Sequence, residues 1–96
     1  MALSKAAKAI RDTLWAGGAM GDGSVDIMQG DAEIGRLVPI NTPYGRAYNV
    51  ELHGEIVTAQ RSIVNGLDAA AIHLNLAAAQ AAAADALLAL DVEATA

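Results

Sequence analysis

Leu67 to Leu90 reads LDAAAIHLNLAAAQAAAADALLAL, and the fold turns on how this stretch is read. Alanine and leucine lose little side-chain freedom in a helix, so the run is expected to be helical. Leu67, Ala70, Leu74, Ala77, Ala81, Ala84 and Leu88 recur at alternating spacings of three and four, which holds them on one face. Ile72, Leu76, Ala83, Leu87 and Leu90 form a second stripe, roughly opposite at about 100° per residue. Ile72, Leu74 and Leu76 also alternate with His73 and Asn75, a pattern that fits a strand; the surrounding alanines favour helix. A helix with two apolar stripes must bury two sides. So short a chain has little to cover both, so a neighbouring subunit is expected to cover part of it.

Working outward, the 96 residues allow one domain at most, with no room for a separate catalytic domain. Apolar residues make up 54% and charged residues 18%, the reverse of what a small monomer with a large surface-to-volume ratio needs. With one tryptophan, two tyrosines and no phenylalanine, the core must be packed from small side chains. The net charge of −5 argues against a nucleic-acid partner, because phosphate neutralisation requires a surplus of lysine and arginine on one face. There is no cysteine for disulfide or thiolate chemistry. Asp68, His73, Asn75, Gln80 and Asp85 interrupt the C-terminal run, which is therefore read as no membrane span, and the N-terminus lacks the apolar core of a signal peptide. A cytoplasmic site of synthesis is the default expectation.

Three segments are expected: an amphipathic arm and glycine-rich hinge over 1–23, a small β-meander over 24–66, and the alanine-rich helix over 67–96. Ser4 can cap a helix from Lys5 to Trp15, with Leu3, Ile10 and Leu14 on its apolar face and Lys5, Lys8 and Arg11 as a basic stripe. This arm, with Trp15, is the expected contact to a larger partner, although docking on its own domain explains the same pattern. Gly17, Gly18, Gly21 and Gly23 in GGAMGDGS then end the helix. Val25–Met28 and Ala32–Ile40 read as a hairpin turning at Gly30, and Asn41–Gly45 as a turn. Arg46–His53 is the clearest strand, with Tyr48, Val50 and Leu52 on one side and Asn49, Glu51 and His53 on the other. Glu55–Val64 fits either a strand or a helix, Asn65-Gly66 signals a turn, and the tail after Leu90 is expected to fray.

Chemistry-bearing residues are sparse. His53 and His73 have no second histidine or cysteine at ligand spacing, so no metal is expected. Glu51 and Glu55 flank His53 and could tune it, but tuning is not a reaction. Asp31 and Glu33 have the composition of solvated turn acids, Ser24 in Gly-Asp-Gly-Ser has no placed base, and Asp22, Ser24 and Asp26 lack the glutamate of a calcium loop. The glycine-rich loop lacks the phosphate-cradling pattern. No catalytic residue, cofactor or enzymatic activity is therefore expected.

In its build, a short chain with the arm ending in GGAMGDGS, strands centred on RAYNVELH and an Ala/Leu-rich C-terminal segment, the sequence resembles small virion accessory proteins of tailed phages, the decoration or cement proteins and head-fibre bases. The resemblance implies a non-enzymatic virion subunit, a homo-oligomer such as a trimer, and a partner lattice such as a major capsid protein. The residues themselves also fit a small soluble adaptor whose strand face carrying Asn49, Glu51 and His53 binds a ligand. The expected architecture is α+β: a short N-terminal helix, a small antiparallel β-meander and a long C-terminal helix used in oligomerisation.

Overall fold

The computed structural model describes the backbone of residues 2–19 and 21–95, and side chains as far as Leu88. A short helix α1 (Lys5–Arg11) leads into five strands, β1 (Leu14–Ala19), β2 (Val25–Gln29), β3 (Ala32–Thr42), β4 (Gly45–Leu52) and β5 (Glu55–Gln60), followed by a long helix α2 (Ile63–Thr95). The strands form one antiparallel sheet in chain order, a simple meander, so the architecture is the expected α+β.

Alternation sets the core. Val25, Ile27, Leu37, Val50 and Leu52 lie on one face of the sheet and are buried there against Leu67, Ala70 and Ala71 of α2. The other face carries the row Asp26, Arg36 and Glu51, register partners across β2, β3 and β4 that place the cation between two acids. Helix α1 packs against α2, so the N-terminal arm is docked on its own domain.

Three boundaries differ from the sequence reading. Helix α1 stops at Arg11 instead of Trp15, because Thr13 turns back on it, its amide and its hydroxyl both donating to the Ile10 carbonyl at 2.9 and 2.6 Å. Leu14 then enters the sheet core as the first residue of β1, and Gly17 and Gly18 lie inside that strand instead of forming a hinge. At the far end Asn65-Gly66 is no turn. Ser62 caps α2 by accepting the Asn65 amide at 3.1 Å, and the helix runs straight through both residues. Gly66 serves packing: a Cβ there would stand 2.8 Å from a methyl of the fully buried Leu37.

The ambiguous 55–64 segment resolves into β5 and the cap of α2. His53 and Gly54 make this possible, both with positive φ (52° and 82°), the backbone of a two-residue hairpin turn that joins β4 to β5. Ile72–Leu76 is helical, and α2 continues to Thr95 where fraying was expected after Leu90.

Candidate functional site

Starting directly after β5, α2 runs back over the sheet until it reaches the His53–Gly54 turn, and there it leaves the domain. Up to Ala71 its positions are buried or half-buried apart from the exposed Val64; every residue from Leu76 to Leu88 is exposed. Among them Leu76 is 50% and Leu87 and Leu88 each 63% accessible. The projecting rod makes the molecule 57 Å long against 31 and 25 Å across.

At the point of departure lies a cleft of about 260 Å³, walled by Leu52, Val57, Leu74 and Leu76 with Ala77 and Gln80 above them. Its rim carries His53, His73 and Glu55. The fold thus brings together the two histidines that the sequence leaves 20 positions apart. No group of three potential metal-ligating side chains occurs among the described residues. The turn was the missed signal: His-Gly reads as a broken strand, yet its left-handed backbone carries His53 away from the face of Asn49 and Glu51, where strand alternation had placed it, and onto the cleft rim.

The expected interface stripe divides into two zones. Leu67 and Ala70 are buried in the subunit's own core and Leu74 packs half-buried against it. Ala77 lines the cleft, and Ala81, Ala84 and Leu88 continue the stripe, all exposed. Of the second stripe, Leu76, Ala83 and Leu87 are exposed, Ile72 is half-buried, and the Leu90 side chain lies outside the described residues.

The expected lattice contact is dispersed. Leu14 is buried, Ile10 packs against the core, and Arg11 Nε donates to Asp68 Oδ1 at 2.8 Å, tying α1 to α2. Leu3 is half-buried, while Lys5 and Lys8 are exposed. Trp15 lies on edge strand β1, 49% exposed, its indole N–H donating to the Gly30 carbonyl at 2.9 Å.

In the glycine-rich loop Asp22 accepts the Ser24 amide at 2.9 Å, and this hydrogen bond holds the Asp22 carboxyl below the usual carboxylate range. The carboxylate is thus occupied in shaping a turn. Asp31 and Glu33 are exposed at the β2–β3 turn, and Asn49 and Glu51 are half-buried on the open sheet face.

By length and composition α2 contains one stretch, Ile63–Leu88, long and apolar enough to cross a membrane, with a mean hydropathy of 1.2, contrary to the sequence reading of no spanning segment. Its first turns are fixed in the domain core, and Gln80 and Asp85 interrupt the projecting part.

Comparison with known protein families, with characterised proteins and with solved structures finds no match.

Proposed function

We propose that this chain is a non-enzymatic assembly subunit that self-associates through the projecting part of α2. The observation that carries this is the rod from Leu76 to Leu88, which leaves its own domain with three leucines half to two-thirds exposed. A compact subunit acting alone has no use for such a surface. A protein neighbour suits it better than a bilayer. An aspartate at the centre of a spanning helix costs about 2.5–3.5 kcal/mol, and the rod carries Asp85 among its apolar residues and Asp91 and Glu93 beyond them.

Magnitudes also favour an assembly. Covering Leu76, Leu87 and Leu88 in each of two copies yields on the order of 6–9 kcal/mol gross. Association costs of about 4–15 kcal/mol consume much of that, so an isolated pair is weak and concentration-dependent. Repetition on a lattice strengthens such contacts by raising effective concentration.

In its more specific form the proposal is a virion decoration or cement protein, binding a capsid lattice through the head of the molecule, where Lys5, Lys8 and Trp15 remain exposed. Light scattering on size-fractionated protein at rising concentration tests self-association: a single-chain mass throughout refutes it. Co-sedimentation with assembled phage heads lacking the protein tests the specific form. Saturable binding at lattice stoichiometry is expected, and no binding to heads rejects the virion role while leaving self-association standing.

A further inference from the structure

Asn65-Gly66 is a dipeptide with a reactivity of its own, and the fold holds both residues where that reactivity is suspended. We infer that Asn65 is a latent site of deamidation gated by the docking of α2: closed while the helix lies on the sheet, open when its first turn lifts away.

The chemistry needs only water. The Gly66 backbone nitrogen attacks the side-chain carbonyl carbon of Asn65. The new C–N bond closes a succinimide ring, and the bond from that carbon to the side-chain nitrogen breaks; ammonia leaves, taking the proton of the Gly66 nitrogen with it. Water then opens the ring at either carbonyl, giving aspartate or isoaspartate, in which the main chain runs through the side-chain carbons. A following glycine leaves the attacking nitrogen unobstructed. Asn65 is the only asparagine so placed; Asn41, Asn49 and Asn75 precede Thr42, Val50 and Leu76, whose side chains crowd the approach.

In the folded chain that nitrogen is held. The Gly66 amide donates to the Ser62 carbonyl at 2.9 Å, the bond that starts the α2 ladder, so its proton is engaged. Ring closure also demands a ψ at Asn65 far from the helical value of about −42°. Ser62 fastens the same turn from its other side, its hydroxyl accepting the Asn65 amide at 3.1 Å. Gly66 is buried against Leu37, so the turn cannot loosen in place; it must lift from the sheet.

The two products act differently on the fold. Aspartate at position 65 adds negative charge to the first turn of a helix, where the dipole favours it. Isoaspartate inserts an extra main-chain atom and breaks the spacing that brings Gly66 to both the Ser62 carbonyl and Leu37. A chain that lingers with α2 undocked thus acquires a covalent block to docking.

The test follows the full chain at neutral pH, folded in buffer or unfolded in guanidinium chloride. Cleavage after Arg61 and fragment mass spectrometry read the amide-to-acid mass increase at Asn65, with Asn41, Asn49 and Asn75 as internal controls. Asn65 is expected to convert first in the unfolded chain, and at least about 100-fold more slowly in the folded one. Ser62→Ala removes the cap and is expected to speed both conversion in the folded chain and hydrogen exchange of the Gly66 amide by about fivefold. Exchange gives the answer even where folded-state conversion is too slow to follow. An unfolded chain whose Asn65 reacts no faster than the control asparagines overturns the site. A folded chain that converts within about threefold of the unfolded one, or a Ser62→Ala variant with unchanged Gly66 exchange, overturns the gate.

Discussion

Gly35 holds the sheet in the geometry that forms one wall of the cleft, and replacing it with alanine is the most demanding test of the fold. It pairs with Ile27 on β2 and with Leu52 on β4, the strand that ends at the His53–Gly54 turn. A Cβ at this position would overlap the Glu51 carbonyl oxygen and stand 3.0 Å from a methyl of Leu52. Because the obstructing atom is backbone, no rotamer relieves the clash, and β3 and β4 must separate locally. Losing two ladder hydrogen bonds costs about 1 kcal/mol each, and overpacking adds about 1–3 kcal/mol. The restricted unfolded chain of the variant returns about 0.4–1 kcal/mol. Gly35→Ala is therefore expected to destabilise the domain by about 3 kcal/mol, lowering its melting temperature by roughly 12–24 °C. Urea unfolding followed by circular dichroism, at a concentration low enough to keep the protein monomeric, measures it. A loss under about 0.5 kcal/mol would refute the packing described for β3 and β4.

Other substitutions probe single contacts. Arg11→Ala removes the ion pair with Asp68, whose side chains are 23% and 18% accessible; a loss of about 1 kcal/mol is expected, and a double-mutant cycle with Asp68→Asn should return most of it as coupling. His53→Asn places a residue that tolerates left-handed backbone at φ 52°, so a gain of about 0.5–1 kcal/mol in thermal unfolding is expected. The Asp22 carboxyl, held low by the Ser24 amide, contributes stability that is present above its unfolded pKa and lost as pH falls through its lower folded value. Carbon-detected NMR titration should accordingly place its midpoint below the usual carboxylate range, and Asp22→Asn should flatten the acid limb of the stability profile.

Periodicity made most of the architecture legible. Tyr48, Val50 and Leu52 alternate cleanly, and the alanine content of 67–90 outweighs the strand-like alternation of Ile72 to Leu76. What escaped were places where one residue type has two physical uses. Glycine both turns a chain and permits close approach; at Gly66 the second use governs, because Leu37 occupies the space a side chain would need. His53-Gly54 looks like an interruption, yet two consecutive positive φ values make it a hairpin. Leu14 suits a helix face equally well, but pairing with β2 draws it into the sheet. The cleft could not be read from sequence, since it depends on where a straight helix outruns a sheet that ends at the β4–β5 turn. The exposed stripe was visible as excess apolar surface; the share of it used by the subunit's own core, Leu67 and Ala70, was not.

The central claim is that the projecting rod is covered by another copy of the chain. Sedimentation equilibrium of the full chain from micromolar to millimolar concentration, beside the variant carrying Leu87→Asp and Leu88→Asp, measures this directly. The account predicts a mass that rises with concentration for the parent chain and stays that of one chain for the variant. A parent chain that remains a single copy across that range, or a variant that associates equally well, contradicts it.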